Sequence, residues 1–338
     1  MSIVGSKSDV RPASTMWWRF VACFVLLLPL AGCTDNFDPT AHAPRQLVIF
    51  SVLSTDRESQ FVRVQTDYIP VGYNPLQHTS DNSVLDAVVT ITGPNKVYRL
   101  RDTLVWHSDT SRYKFALRTY YANLFTPQRG SNYLVEVSSP TLGQASAAII
   151  VPGQARIALS TETQRVLDYP HEYSLGTPIE IAIEFSKSSK GHMVRFFAWY
   201  DVLKGNEWVE EAVEIPISSF DPAPYMLVNP VYPRMGAIPA NSQLGIVYRN
   251  GYFKGAINIV NERYRTTQIF FKWITVVVLQ ADENLYKYYV STHASGDPHS
   301  IRLDEPMVST VNGGTGLVGA YTLDSLVYLL PYDFWGNR

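Results

Sequence analysis

The chain has 338 residues, with 28 lysines and arginines against 30 aspartates and glutamates, and a net charge of −2 at pH 7. This balance excludes the strongly basic class of nucleic-acid-binding proteins, and no basic stripe runs along the sequence. The two cysteines are Cys23 and Cys33. Because both belong to one N-terminal segment, the rest of the chain has no thiol for a disulfide, a metal site or a nucleophile.

Residues 17–33 read WWRFVACFVLLLPLAGC and carry the clearest signal in the sequence. Arg19 gives a positive start, residues 20–28 form an uncharged apolar run, and small residues precede Cys33. This order is typical of a secretory signal peptide. The apolar run is too short to cross a bilayer core, which needs about 20 residues. LAGC also resembles the bacterial lipobox, whose cysteine is lipidated and becomes the first mature residue.

We therefore expect residues 1–32 to be a lipoprotein signal peptide and Cys33 to be the lipidation site. Two or more acyl chains hold a protein stably on a membrane. A complete signal is already present from Met16, so translation is expected to start there; the alternative start is Met1. Residues 33–44 are polar and contain proline, which predicts a tether between the anchor and the folded part.

From residue 45 onward the pattern becomes one of short strands separated by turns. The predicted strands are residues 47–53, 60–66, 87–92, 97–101, 113–117, 133–137 and 146–151. The turn Gly93-Pro94-Asn95-Lys96 joins the third and fourth of these as a hairpin. Short strands with turns between them predict an immunoglobulin-like β-sandwich over residues 45–152.

The alternation in residues 153–338 predicts a second, mainly antiparallel β domain. The strands expected there are residues 178–185, 192–203, 208–217, 244–249, 255–260, 268–280 and 317–323. The second and third form a hairpin around Lys204-Gly205-Asn206. The sixth is the most apolar of the set, which predicts a central position in its sheet.

Two segments of the second half interrupt the strand pattern. Residues 282–293 are the one short helix that we expect, because their apolar side chains share one helical face and Asp282 is a suitable N-cap. Residues 218–242 contain five prolines and predict a long irregular loop. Such loops are uncommon in compact domains unless they serve a function.

In this order the segments resemble a family of bacterial surface lipoproteins, the domain-of-unknown-function 4249 family. Besides the lipobox, the matching pieces are VIFSVLSTDRESQFVRV at 48–64, DAVVTI at 86–91, SRY at 111–113, VPG at 151–153, ENLYKYY at 283–289 and NGGTGLVGAY at 312–321. The resemblance implies an immunoglobulin-like or carboxypeptidase-regulatory-like β-sandwich followed by a second β domain. It also implies association with TonB-dependent outer-membrane transporters. The family has no established catalytic residues, so the resemblance assigns none here.

Two motifs bear on cofactor binding. Residues 314–319 fit G-x-G-x-x-G, but a strand is expected after them instead of the helix that a dinucleotide site requires, which favours a glycine turn. Metal-ligating side chains also cluster after the predicted helix, namely His293, Asp297, His299 and Asp304. Gly296-Asp297-Pro298 among them is typical of a turn, which favours a loop. We therefore expect neither a cofactor nor a metal.

Carboxylates on the predicted strand 208–217 bear on glycoside hydrolysis, which uses two carboxyl groups about 5–9 Å apart. The candidates are Glu207, Glu210, Glu211 and Glu214. Because apolar residues flank them, we expect them to form the solvated face of a hairpin. No catalytic residue is predicted.

Aromatic side chains in predicted loops are the better lead to function. They are Tyr68, Tyr73, Tyr120, Tyr121, Phe125, Tyr225 and Tyr232. Loop aromatics stack on sugars or anchor a protein partner, and they are over-represented in binding hot spots. The alternative is that these rings pin their own loops onto the sandwich.

The sequence thus predicts a non-catalytic, lipid-anchored protein of the outer membrane, on its periplasmic or cell-surface side. Its expected partner is a TonB-dependent barrel in nutrient uptake, and nucleic acid is not expected as a partner. Two alternatives stay open: an adhesin that binds glycans or polypeptides, and a surface hydrolase that uses the glutamate hairpin. A co-purifying barrel would distinguish the uptake role from the adhesin. Loss of activity in Glu210→Gln and Glu214→Gln tests the hydrolase.

Overall fold

The structure is a computed structural model, and it describes residues 44–67, 81–106, 116–219, 227–293 and 308–337. The expected signal peptide, Cys33 and the tether up to residue 43 lie outside these ranges, so their assignments stay predictions. Residues 45–338 group together by their contacts. Within the described part of the chain, no helix is both long and apolar enough to cross a membrane.

Strands form most of the described secondary structure. They are β1 (Leu47–Ser54), β2 (Ser59–Thr66), β3 (Val88–Thr92), β4 (Val97–Arg99), β5 (Arg101–Val105), β6 (Leu117–Asn123), β7 (Asn132–Ser139), β8 (Gly143–Ile150), β9 (Arg156–Leu159), β10 (Pro178–Glu184), β11 (Gly191–Lys204), β12 (Glu207–Glu214), β13 (Gly236–Ala237), β14 (Gln243–Arg249), β15 (Ile269–Ala281) and β16 (Thr315–Leu329). The helices are α1 (Thr161–Asp168), α2 (Asn250–Arg263) and α3 (Glu283–His293), with a 3-10 turn at Pro170–Glu172.

The largest sheet joins strands from both ends of the described chain. Its order is β12-β11-β15-β16-β1-β2-β6-β5, and the short β13 also pairs with β11. β1 runs parallel to β16, whereas the other neighbours in this sheet are antiparallel. Two antiparallel sheets, of order β14-β10-β9 and β4-β3-β7-β8, complete the described β structure.

Two hydrophobic cores lie against one face of the large sheet. The first contains side chains of β1, β2 and β6 on one side and of β3, β7 and β8 on the other. The second packs β10, β14, α1 and α2 against β11 and β15. β16 gives Val318 and Ala320 to the first core and packs Tyr328 against the second. Val318, Ala320 and Tyr328 are separated by even numbers of residues, so their side chains point to the same face of β16. Both cores therefore lie on the same side of the large sheet.

The all-β class and the sandwich-like packing are confirmed by these sheets. The immunoglobulin-like topology stays a prediction, as do the domain limits 45–152 and 153–338. The two cores divide near those limits, except that Val311, Val318 and Ala320 join the first core. The large sheet contains strands from both predicted segments.

Several predicted elements are confirmed in place. β11 and β12 form the expected hairpin, with Gly205 at φ +63° in its turn. β15 pairs on both sides, with β11 and β16, as its apolar sequence predicted. α3 matches the predicted helix, and Asp282 Oδ1 accepts a hydrogen bond from Leu285 N at 2.9 Å, as an N-cap does.

The prediction of one short helix was wrong, because α1 and α2 are helical too. Residues 255–260, predicted as a strand, lie inside α2. The side chains that α2 buries at helical spacing include Phe253, Ala256, Ile257 and Val260. A short apolar run fits either period, and packing against β11 and β15 selects the helix here.

α1 begins with a serine N-cap. Ser160 Oγ accepts a hydrogen bond from Thr163 N at 3.0 Å, which satisfies one of the helix's unpaired N–H groups. Val166 and Leu167 then bury the helix against the second core.

Candidate functional site

The glutamates of the β11–β12 hairpin are divided between the two faces of the large sheet. Glu210 and Glu214 lie on the face away from the cores, as expected. Glu210 contacts Lys272 Nζ at 2.5 Å, and Glu214 accepts hydrogen bonds from Arg195 at 2.5 and 2.9 Å. Glu211 lies opposite Tyr200, a core residue, and therefore points to the other side. The expectation of a solvated face was wrong for Glu211.

Glu211 is the centre of a polar cluster at the edge of the second core. It accepts hydrogen bonds from Lys204 Nζ at 2.5 Å, Tyr264 Oη at 2.8 Å and Tyr200 Oη at 2.9 Å. The bond from Lys204, helped by those from the two tyrosines, lowers the pKa of Glu211 to about 2 against the opposing effect of burial. The carboxylate therefore stays charged at neutral pH.

Glu211→Ala is expected to destabilise the protein by about 2 kcal/mol, because the buried Tyr200 hydroxyl loses its acceptor. The matched control is Glu210→Ala on the same strand. The Glu210 side chain is 45% exposed, so the loss of its ion pair is expected to cost less than about 1 kcal/mol. Urea unfolding followed by tryptophan fluorescence measures both. Equal losses in the two variants contradict the structural role given to Glu211.

This arrangement gives the hairpin glutamates the properties of structural ion pairs. A glycosidase's general acid needs a raised pKa, whereas the pKa of Glu211 is lowered. Glu210 and Glu214 each form an ion pair, with Lys272 and Arg195 respectively. In the described residues, Glu210, Glu211 and Glu214 are each engaged by a cation of a neighbouring strand or of the hairpin itself.

The predicted cofactor motifs carry no ligand-binding geometry in the described residues. Asp297, His299 and Asp304 lie outside the described ranges, and only the backbone of His293 is described. Over the residues the structure covers, no cluster of three or more His, Cys, Asp or Glu side chains suits a metal ion. β16 begins at Thr315, so residues 315–319 of the glycine motif lie within a strand, and the expectation that the motif forms a turn was wrong for them.

Gly316 of the glycine motif serves a close approach between two strands. It has φ +121° and lies in register with Ile49 of β1. A Cβ atom at this position would overlap the Ile49 carbonyl oxygen and lie 2.9 Å from the Ile49 backbone N. The position thus requires glycine for both its φ and its lack of a side chain.

The predicted aromatic loop residues have different roles in the structure. Tyr68, Tyr73 and Tyr225 lie outside the described residues. The loop assignment of Tyr120 and Tyr121 was wrong, because both belong to β6. Tyr120 is buried and donates a hydrogen bond to Val84 O at 2.7 Å.

The last two members of the set differ in exposure. Phe125 is buried and stacks on Tyr98 with ring centroids 3.9 Å apart, so it supports the self-packing alternative. Tyr232 keeps an exposed ring. Among the described members of the set, Tyr232 is the one that is both exposed and in a loop, as a residue that contacts a partner would be.

A cleft that the sequence analysis missed lies at one end of the large sheet. Its volume is about 600 Å³, which is in the range of about 300–1,000 Å³ typical of small-molecule sites. The lining residues are Asp201, Trp208, Gln268, Ile269, Phe270, Tyr332 and Asn337. These side chains come from the β11–β12 hairpin, the start of β15 and the segment after β16.

A β-bulge in β15 determines which side chains reach the cleft. Trp199 is opposite Trp273, but the next residue, Tyr200, is opposite Phe271, so Lys272 is the extra residue. The bulge shifts the alternation, and Phe271 is buried in the core. Phe270 and Lys272 consequently lie on the other face of the sheet, away from the core. Bulges frequently re-aim side chains in this way beside functional sites.

The segment after β16 forms the opposite wall of the cleft. Phe334 is buried between Phe271 and Phe253, with ring centroids 5.7 and 6.2 Å away. Asn337 Oδ1 accepts a hydrogen bond from Phe271 N at 2.6 Å, and its Nδ2 donates to Tyr332 O at 2.9 Å. These contacts fix the backbone under Tyr332.

Asp201, one of the lining residues of the cleft, belongs to an ion-pair network with Lys272 and Glu210. Lys272 Nζ lies 2.8 Å from Asp201 Oδ1 and 2.5 Å from Glu210 Oε1, and 4.3 Å from the centre of the Trp273 ring. Burial by itself lowers the pKa of Lys272, but the hydrogen bonds to Asp201 and Glu210 outweigh it and raise that pKa. The network thus joins two carboxyl groups to one ammonium group.

Sequence comparison places this architecture in a known family. The family model described as domain of unknown function, DUF4249, matches residues 34–326. No curated protein matches the chain. Because the family model covers most of the chain, the resemblance noted in the sequence is confirmed, and the chain belongs to the DUF4249 family.

Proposed function

We propose that this protein is a non-catalytic binding component of the outer membrane, anchored by lipid on Cys33, that works with a TonB-dependent transporter in nutrient uptake. The observation that carries the binding role is the cleft, where exposed aromatic rings stand on fixed backbone beside paired charges. The lipobox sequence supports the anchor. Membership of the DUF4249 family supports the transporter, through the association that the resemblance implies.

The lipid anchor is tested by metabolic labelling with an alkyne fatty acid in the native host. Label is expected in the wild-type protein and in Cys23→Ser, and it is expected to be lost in Cys33→Ser. Cys23→Ser is the matched control, because it removes the other cysteine of the same segment. Label that persists in Cys33→Ser contradicts the anchor.

The transporter partner is tested by affinity purification of the tagged protein from gently solubilised outer membranes, followed by mass spectrometry. A barrel in stoichiometric amount is the expected result. A lipidated protein that purifies without a barrel contradicts the uptake role and favours the adhesin alternative, which would use the same cleft. Protease treatment of intact cells then distinguishes the cell-surface side from the periplasmic side.

A further inference from the structure

We propose that the cleft between Trp208 and Tyr332 binds a neutral saccharide. This inference rests on the binding role proposed above and specifies its ligand class. It follows from the exposed rings, from the polar groups beside them, from the local charge and from the rigidity of the walls.

Two of the rings that line the cleft are open to solvent. Trp208 is 53% exposed and Tyr332 is 86% exposed. Aromatic side chains normally stabilise a fold by being buried in its core, and these two are not. Both stand over ordered backbone, and the Tyr332 ring lies 5.5 Å from that of Phe270. Flat apolar rings in such positions match the C–H faces of pyranose sugars, which stack on aromatic side chains.

The polar groups that line the cleft suit sugar hydroxyls, which both donate and accept hydrogen bonds. Asp201 uses Oδ1 for Lys272, so its other oxygen is an acceptor for a ligand hydroxyl. The exposed Gln268 side chain offers an amide donor and an amide acceptor. The cleft thus combines aromatic platforms with a few placed polar groups, as small-molecule sites do.

The local charge selects against acidic ligands. Asp201 and Glu210 carry two negative charges, and the single ammonium of Lys272 already contacts both. A uronate, sulfate or phosphate would meet the excess negative charge and would find Lys272 engaged. A cationic peptide is the other chemistry that negative charge attracts. Here, however, Lys272 already contacts both carboxylates, so a ligand cation would have to compete with its ammonium group.

The walls of the cleft are held by packed or hydrogen-bonded elements. Trp208 lies on β12, which is paired along its length with β11. Phe270 lies on β15, two residues before the bulge at Lys272, and is paired with Asp201 of β11. Asn337 and Phe334 fix the segment that carries Tyr332. Little ordering is then needed on binding, which favours affinity for a weakly interacting neutral ligand.

Isothermal titration of the full-length lipoprotein in a detergent without sugar groups tests the inference. Maltotriose, cellotriose, mannotriose and xylotriose are the neutral probes, and trigalacturonate and trilysine are the acidic and cationic ones. At least one neutral trisaccharide is expected to bind. Trp208→Ala and Tyr332→Ala are each expected to weaken that binding about tenfold or more.

Trp106→Ala is the matched control, because Trp106 is a 71% exposed tryptophan that does not line the cleft; its affinity for the sugar is expected to stay unchanged. Gln268→Ala replaces Trp208→Ala if the latter fails to fold. The inference is overturned if no neutral probe binds, if only trigalacturonate or trilysine binds, or if the cleft variants bind as the wild type does. A barrel that co-purifies while no neutral sugar binds leaves the transporter role standing and removes only this inference.

Discussion

Gly316→Ala is expected to destabilise the protein by about 4 kcal/mol and to leave little folded material. The added Cβ would overlap the Ile49 carbonyl oxygen, and φ +121° is a conformation that L side chains rarely adopt. Steric overlap and backbone strain each cost about 1–3 kcal/mol. β1 cannot yield, because it is paired with β16 on one side and with β2 on the other.

Two other glycines separate the causes of this effect. Gly143 has φ +85° but open space where a Cβ atom would stand, so Gly143→Ala isolates the backbone strain, about 1 kcal/mol. Gly245 has open space without a positive φ, and Gly245→Ala is expected to change stability by less than about 0.5 kcal/mol. Denaturant unfolding measures all three. If Gly316→Ala loses no more than Gly143→Ala, the steric argument is wrong.

Alternation predicted strands well wherever one face of the strand is buried and the other is open. β10 is the plainest case, since its burial pattern changes at every residue. The β11–β12 hairpin was also predicted from the sequence, because a turn with Gly205 separates two runs of alternating apolar and polar residues. In such segments the period of two follows directly from side chains that point to opposite faces.

The prediction of a strand at residues 255–260 was wrong because the glycines of α2 weaken the helical pattern of its sequence. Gly251 and Gly255 lower helix propensity, so the apolar run beside them fits a strand equally well. The structure shows why glycine stands there. A Cβ at Gly255 would lie 2.9 Å from the Leu227 side chain, and one at Gly251 would lie 3.1 Å from the Leu175 carbonyl oxygen. Close packing, which no local pattern reports, determines both residues.

The cleft escaped prediction for two physical reasons. Its side chains come from three segments far apart in sequence, and only the fold brings Trp208, Phe270 and Tyr332 together. The bulge at Lys272 then reverses which residues of β15 face the core, and a strict alternation cannot anticipate that reversal. The exposed Trp208 on a hairpin strand was the signal available in the sequence.

Asp282→Asn is expected to remove a pH dependence of stability that the N-cap of α3 creates. Asp282 is only 2% exposed, and burial raises its pKa from 3.8 to about 6, although backbone hydrogen bonds from the helix and β16 oppose the shift. At pH 7.5 the folded protein therefore holds a charged carboxylate in a buried position. Asparagine is an equally good N-cap and carries no charge.

The direction of the effect follows from the two pKa values of Asp282. The folded state holds the proton more tightly than the unfolded state, so the wild type is favoured below pH 3.8 and loses that advantage as pH rises through about 6. A shift of this size corresponds to about 3 kcal/mol. Relative to the wild type, Asp282→Asn should therefore become more stable by about 2.5 kcal/mol between pH 4 and pH 7.5, since the rest of the change falls below pH 4.

Urea unfolding of both proteins at intervals from pH 4 to pH 8 measures this difference. The difference cancels the titration of other groups, including the neighbouring Glu283, as long as the variant leaves them in place. Asp282→Ala is the control for the cap itself. It removes the hydrogen bond that Leu285 N donates to Asp282 Oδ1, and it is expected to be about 1 kcal/mol less stable than Asp282→Asn at every pH. A stability difference between Asp282→Asn and wild type that stays constant with pH would mean that the buried carboxyl titrates near its ordinary value, and that the charge at this cap is solvated in spite of its burial.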